Sequence, residues 1–317
     1  MIDRALVTGS AGFIGSHLAR RLVADGVEVV GLDDLSDGSV ENLRDVPEVR
    51  FVEADLRDEA AVAAAARGCS AIYHQGGKRS VPRSMAQPGP TTDVNVRGTL
   101  NVLLAARDAG AVVVAASSSS VYGDQSEFPL RESMTAAPRS PYAASKLALE
   151  VYCAGIGLSY GVPTVALRYF NVYGPGQDPE SEYAAVVPRF AVACLTGARP
   201  EVHGDGEQSR DFTYIDDVVE ANLRSARAPG EAHGRAFNIG GGGEPTSVNG
   251  LLALVAEAAG VVPDPVHTGT RAGDVRMTQA DVSLAERLLG FAPTVPIEEG
   301  VRRTVEWFRA SLDRGAP

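Results

Sequence analysis

Residues 4–15 read Arg4-Ala-Leu-Val-Thr-Gly-Ser-Ala-Gly-Phe-Ile-Gly15, an apolar strand that runs into Gly9, Gly12 and Gly15 and then into a helical pattern reaching Asp25. Strand, glycine turn and helix in that order open a βαβ unit. Such a turn lets the backbone come close to a phosphate, and the helix N-terminus offers free N–H groups and the positive end of its dipole. The spacing is Gly-x-x-Gly-x-x-Gly, not the Gly-x-Gly-x-x-Gly of the standard dinucleotide fingerprint, so the turn alone also fits a plain strand-to-helix corner.

Outward from this turn the first half of the chain keeps the same rhythm. Short apolar runs at Arg4–Thr8, Val27–Leu32, Val49–Val52, Ala71–His74, Ala111–Ala116 and Thr164–Leu167 alternate with helical stretches at Gly12–Asp25, Thr91–Ala109 and Pro141–Tyr160. Runs such as Ala111-Val-Val-Val-Ala-Ala116 lack polar alternation, the mark of parallel strands covered on both faces. The predicted fold class is α/β, a Rossmann-type doubly wound parallel sheet. Ser140 and Pro141 signal the start of the third helix as cap and first residue. After Leu167, Gly and Pro cluster through Gly174-Pro-Gly-Gln-Asp-Pro179, and helices at Ala184–Thr196 and Asp216–Arg227 follow with more polar connections. A Rossmann domain is therefore expected at 1–168 and a smaller, mostly α substrate lobe at 169–317, with a strand near 236–240 returning to the main sheet.

Composition narrows the classes. The chain has 317 residues, 44% of them apolar, a size that favours one large domain with a second lobe over several small modules. Lys and Arg number 29 against 40 Asp and Glu, and the net charge of -11 opposes non-specific contact with nucleic acid or an anionic membrane. Cys69, Cys153 and Cys194 are odd in number and widely spaced, so neither a disulfide nor a metal site is expected. No apolar run approaches the ~18 residues of a membrane span and no leader-like segment precedes Ala5, so the chain reads as soluble and cytoplasmic.

Two further groups of residues sharpen the reading. Asp33 ends the second strand, where a carboxylate accepts hydrogen bonds from an adenosine ribose and repels a 2′-phosphate, so NAD is expected rather than NADP. Asp34 shares that position, with a solvated carboxylate as its alternative. Asp55 and Leu56, past the third strand, fall at the adenine edge, with helix capping the alternative for Asp55. Tyr142 and Lys146 lie four residues apart at the start of one helix and project from one face. A neighbouring ammonium and a bound nicotinamide cation would draw a phenol down from its usual pKa of about 10 towards the range of a general base. Ser117 to Ser120 follow directly on the strand ending at Ala116, at the carboxyl edge where open α/β sheets bind ligands.

The segments Thr8-Gly-Ser-Ala-Gly-Phe-Ile-Gly-Ser-His17, Asp33-Asp-Leu-Ser36, Ser117-Ser-Ser-Ser-Val-Tyr-Gly-Asp124, Ser140-Pro-Tyr-Ala-Ala-Ser-Lys146, Leu167-Arg-Tyr-Phe-Asn-Val-Tyr-Gly-Pro175, Ser209-Arg-Asp-Phe-Thr-Tyr-Ile-Asp-Asp217 and Arg271-Ala-Gly-Asp274 carry a resemblance that runs nearly end to end. As a set they resemble the extended short-chain dehydrogenases, in particular the NAD-dependent nucleotide-sugar epimerase and dehydratase branch. The resemblance implies Tyr142 as base, Lys146 as the group that orients the nicotinamide ribose and lowers the Tyr142 pKa, and Ser118 as a partner of the sugar 4-hydroxyl. It implies cofactor contacts from the glycine turn with Phe13 and Ile14, and from Gln75, Arg79, Asn95, Ser117 and Tyr169. It places Asn171, Val187, Arg210, Arg271 and Asp274 at the nucleotide sugar, Asp274 serving equally well to hold Arg271. Guanidinium groups suit a diphosphate because they offer paired donors. A UDP-sugar substrate is implied, and a homodimer paired through Thr91–Ala109 and Pro141–Tyr160.

In that branch, members that eliminate water or carbon dioxide carry an acidic residue just before Val-Tyr-Gly. Here Ser119 and Ser120 fill the segment, and serine does not replace a carboxylic acid. The resemblance therefore implies 4-epimerisation through a 4-keto sugar. Thr278 occupies a position that is tyrosine in relatives confined to simple hexoses, which implies room for UDP-GlcNAc and UDP-GalNAc beside UDP-glucose and UDP-galactose. The segment Glu182–Arg189 resembles the same subgroup. Two departures are Gly176, where many relatives have arginine, and Gly76-Gly77-Lys78 after the fourth strand. Lys78 could meet a sugar carboxylate, which keeps a UDP-glucuronate 4-epimerase as the alternative. A reading of another class, a non-catalytic NAD-binding sensor or scaffold, is opposed by the joint presence of Ser118, Tyr142 and Lys146.

Overall fold

The computed structural model describes residues 2–179, 185–269 and 275–314. Seven strands form the central sheet: β1 (Arg4–Thr8), β2 (Glu28–Asp33), β3 (Arg50–Glu53), β4 (Ala71–His74), β5 (Val112–Ser118), β6 (Thr164–Tyr169) and β7 (Arg235–Ile239). All run parallel, in the order β7-β6-β5-β4-β1-β2-β3. This is the doubly wound sheet that the unalternating apolar runs predict. Successive side chains of one strand enter different cores: Ala5, Val7, Ala71 and Tyr73 join one cluster, Leu6 and Ile72 the other. With both faces covered, most positions of these strands are apolar, and the polar exceptions such as His74 and Arg168 are paired by hydrogen bonds. The last strand, β7, arrives from beyond the Gly/Pro-rich break and pairs with β6, Phe237 opposite Leu167.

On one face α1 (Phe13–Ala24) packs beside later helices. The other face is covered by α2 (Glu59–Ala66), α4 (Gly98–Ala109) and α5 (Pro141–Tyr160), with the short α3 (Val81–Ala86) following β4. The C-terminal portion adds α6 (Val186–Thr196), α7 (Ile215–Ser225), α8 (Val248–Ala259), α9 (Ser283–Leu289) and α10 (Ile297–Asp313). Ser140 caps α5 by accepting a hydrogen bond from the Ala143 N–H at 3.1 Å, and Pro141 occupies its first turn, as its sequence requires. The stretch read as one helix from Thr91 to Ala109 differs. It begins at Pro88, passes through a π turn at Asp93–Arg97 and becomes α4 only at Gly98. Gly98 lies so close to Leu56 that a Cβ would sit 2.8 Å from the Leu56 Cβ. The widened turn carries Asn95, and its neighbours in the cleft are described below.

Helix α5 is fastened to the sheet by a buried charge pair. Glu150 accepts hydrogen bonds from Arg168 of β6, 2.9 Å from Nε and 2.7 Å from Nη2, and from Ser117 of β5 at 2.5 Å. The Arg168 guanidinium also lies over the Tyr122 ring, its Cζ 4.7 Å from the centroid. Among the described residues no helix is long and apolar enough to cross a membrane, and no group of three or more His, Cys, Asp or Glu is arranged to hold a metal. Breaking a buried pair leaves an uncompensated charge, which costs about 3–5 kcal/mol. Glu150→Leu is accordingly expected to lower unfolding stability by that order in urea titration, and Glu150→Leu combined with Arg168→Met to recover most of it.

Candidate active site

The strand order reverses between β1 and β4, and a cleft of about 1050 Å³, open mouth included, lies at the carboxyl edge there. The glycine turn forms its floor. Gly9 has φ +68°, and a Cβ on it would sit 2.6 Å from the Gly76 nitrogen, while one on Gly15 would run into the Gly9 carbonyl. Only glycine lets these backbones meet. Gly12 caps α1, whose N-terminus with Phe13 and Ile14 faces the cleft. Asp33 secures the turn: its carboxylate accepts from the Ala11 N–H at 3.0 Å and the Leu35 N–H at 2.9 Å. Burial raises its pKa against the pull of those two donors. Asp34 and Leu56 line the cleft as well. Asp55 does not, and neither does it cap α2. Its carboxylate is engaged by Arg57 Nε at 3.0 Å, which holds its pKa below the usual range, and the cap is Asp58, 3.0 Å from the Ala61 N–H.

At the other end of the cleft Ser117, Tyr142, Lys146, Gln75, Arg79 and Tyr169 come together. Ser118 lies beside the Tyr142 phenol, just outside the lining of the cleft, and its hydroxyl donates to Ser120 at 3.1 Å. Lys146 is buried and donates from Nζ to the Ala116 carbonyl at 2.7 Å, and burial lowers its pKa to about 8. Burial holds the Tyr142 phenol above its ordinary value, and the opposing influences are Ser118 and the Arg79 cation, not Lys146. Gln75 donates to Asn222 of α7 at 2.9 Å and accepts from the Tyr169 hydroxyl at 3.2 Å, a partner no spacing in the sequence announces. Asn95 stands behind the wall. Its carboxamide holds the Lys78 backbone at both ends, 2.7 Å from N and 2.9 Å from O, and donates to Ser145 at 2.9 Å. Lys78 itself is held by the protein's own side chains. Its ammonium binds Ser36 at 2.5 Å and Asp37 at 3.1 Å, above the loop that follows β2.

The substrate-lobe residues divide. Asn171 donates to Thr278 Oγ1 at 3.2 Å and to the Asp211 carbonyl at 2.8 Å, so Asn171, Thr278 and the neighbours of Arg210 form one cluster. Buried Asp211 anchors it by accepting from Gly241 N at 2.6 Å and Ala280 N at 2.9 Å, with burial pushing its pKa up to about 6. Val187 instead packs into the larger core at the start of α6. Arg271 and Asp274 lie outside the described residues, as does part of the segment from Glu182.

Residues 5–240 match the NAD dependent epimerase/dehydratase family. The chain belongs to that family. It is 42% identical over 312 residues to a UDP-glucose 4-epimerase of Mycolicibacterium smegmatis, covering 96% of this chain and 98% of the relative. Among solved structures it is similar to the UDP-N-acetylglucosamine 4-epimerase of Methanobrevibacter ruminantium in complex with UDP-N-acetylmuramic acid, with a TM-score of 0.92, 36% identity and coverage of 98% and 100%. It is also similar to the Thermus thermophilus UDP-glucose 4-epimerase complexed with NAD, with a TM-score of 0.88, 38% identity and coverage of 97% and 99%. The chain is an NAD-dependent enzyme of this family, and the cleft has what that cofactor needs: a glycine cradle that a Cβ would fill, a helix N-terminus for phosphate and Asp33 at the ribose end.

The buried ammonium has a thermodynamic signature. With a folded pKa of about 8 against an ordinary 10.5, the unfolded chain binds more protons between those values, so stability rises with pH through that window, by about 3 kcal/mol in full. Wild type is expected to gain urea stability relative to Lys146→Met between pH 7 and pH 10, and parallel pH curves would show that the ammonium is not buried.

Proposed function

We propose that the enzyme interconverts UDP-sugars at C4, UDP-GlcNAc with UDP-GalNAc and UDP-glucose with UDP-galactose, through a 4-keto intermediate. The observation that carries this reading is the convergence of the Tyr142 phenol and the Lys146 ammonium on the cleft that also holds the glycine turn, with Ser118 beside the phenol. Bound NAD supplies the hydride acceptor for C4 and returns the hydride. The protein's own groups do the rest. Tyr142 takes the proton of the 4-hydroxyl and gives it back, with Ser118 as the hydrogen-bonding relay. Lys146 is tethered by one N–H to Ala116, leaves two for the cofactor ribose, and adds positive charge. Arg79 opposes the burial that raises the phenol's pKa, and the positive charge of a bound nicotinamide would add to the pull towards the phenolate that accepts the proton.

The distribution of carboxylates supports epimerisation over elimination. Asp33, Asp34 and Asp37 line the adenosine end, and Glu150, the carboxylate nearest the serine run, is consumed by Arg168 and Ser117. Lys78, the residue that suggested the uronate alternative, is engaged by Asp37 and Ser36, which favours a neutral sugar. Thr278 supports the N-acetyl substrates, since a side chain of its size is what Asn171 and Asp211 close around. A homodimer fits the exposed apolar row Val151 and Leu158, two turns apart on α5 and 64% and 88% exposed.

Tyr142→Phe is expected to lose about 10²–10⁴ of turnover while the purified protein keeps its NAD. Near-normal turnover would remove the phenol from the mechanism. Offered separately and followed by the C4 proton signals, UDP-glucose and UDP-GlcNAc are expected to convert and UDP-glucuronate to remain. Thr278→Tyr is expected to suppress conversion of UDP-GlcNAc at least tenfold more than that of UDP-glucose, and equal losses would exclude a sizing role.

A further inference from the structure

In the sheet, β1 lies between β2 and β4, so the loops that leave β2 and β4 flank the glycine turn on either side. Adjacent strands are about 4.8 Å apart, which puts those loops roughly 10 Å from each other across the turn. A chain of charges bridges that gap. Lys78, after β4, reaches Asp37, after β2, at 3.1 Å and Ser36 at 2.5 Å, and Arg83 of α3 binds the other Asp37 oxygen at 2.9 Å. Ser36, Asp37, Gly38 and Lys78 all line the dinucleotide cleft. The bridge starts from fixed ground. Buried Asn95 clamps the Lys78 backbone on both sides, and a Cβ on Gly38 would sit 2.8 Å from the Ala11 backbone, so the loop bearing Asp37 is pressed against the glycine turn.

We infer that Lys78 and Asp37, backed by Arg83, form an ionic strap across the adenosine side of the cleft that sets how fast NAD enters and leaves. The inference rests on NAD as the cofactor and is independent of which sugar is turned over. The pair is made between the protein's own side chains, so it must open for entry as well as exit, and its loss speeds both. Lys78 and Asp37 are 20% and 31% exposed, which sets a modest size for the effect. An ion pair at that depth contributes up to about 1 kcal/mol, or about fivefold in rate. It also weakens as salt shortens the screening length.

The test is exchange of bound NAD for excess fluorescent etheno-NAD in the intact enzyme, in stopped flow, at 0.05 M and 0.5 M salt. Lys78→Met and Asp37→Asn are each expected to speed exchange about fivefold at low salt. The double variant should be no faster than Asp37→Asn alone, and the salt acceleration of the wild type should vanish in all three. Thermal unfolding of the loaded variants monitors folding. If Lys78 instead holds the NAD pyrophosphate, Lys78→Met speeds exchange while Asp37→Asn, which frees that lysine, slows it. That opposite pair of signs overturns the strap, and so do unchanged rates in both variants. Loss of sugar turnover with these exchange rates intact would count against the epimerase reading and leave the strap standing.

Discussion

Everything chemical in this molecule depends on how α5 lies against the end of β5. Tyr142, Lys146 and Glu150 recur at intervals of four on one face of the helix, and each meets the strand end: Tyr142 at Ser118, Lys146 at the Ala116 carbonyl, Glu150 at Ser117. Successive residues four apart on a helix lie one above another, so a single docking register sets all three contacts at once. Glu150 and Arg168 hold that register by a buried bidentate pair, and Lys146 keeps its charge where burial opposes it. A fold chosen for stability alone would not bury a lone ammonium on one carbonyl. A perturbed amine in a cleft, beside a phenol, is the pattern of a working site.

A second, neutral network ties the glycine turn to the same helix. The Thr99 hydroxyl donates to the Asn95 carbonyl, so it can only accept from His74 Nε2 at 3.0 Å, which leaves Nδ1 as acceptor for the Thr8 hydroxyl at 2.8 Å. Thr8 in turn accepts from the Gly76 N–H at 3.1 Å. Asn95 continues the path through Ser145, which donates to the Tyr142 carbonyl at 2.7 Å. Burial and the Lys146 charge lower the His74 pKa to about 3, so the imidazole stays neutral and its tautomer is fixed by its partners at working pH. The turn that receives phosphates and the helix that carries the phenol are thereby parts of one rigid unit.

What the sequence disclosed was local. Strands announced themselves through unalternating apolar runs, α5 through Ser140 and Pro141, the cofactor turn through its glycines, and the Tyr142 and Lys146 face through helical spacing. Glu150 was legible by the same spacing, one further turn along. What was hidden depends on residues far apart in the chain. Lys78 finds Asp37 only because β4 and β2 flank β1. Asn95 became a brace because a π turn aims it at the Lys78 backbone. Asp55 is claimed by Arg57, and Val187 by the core. Burial of the Tyr142 phenol, which no spacing reveals, raises its pKa and opposes the pull of the nearby charge.

In the proposed reaction one cleft brings a dinucleotide and a phenol to the same sugar carbon, so that the hydrogen leaving C4 is never given to water. The most direct measurement is turnover of a UDP-sugar deuterated at C4 in ordinary water. Full retention of deuterium at C4 of the epimer is the predicted result. Exchange of that deuterium for solvent protium would contradict the account.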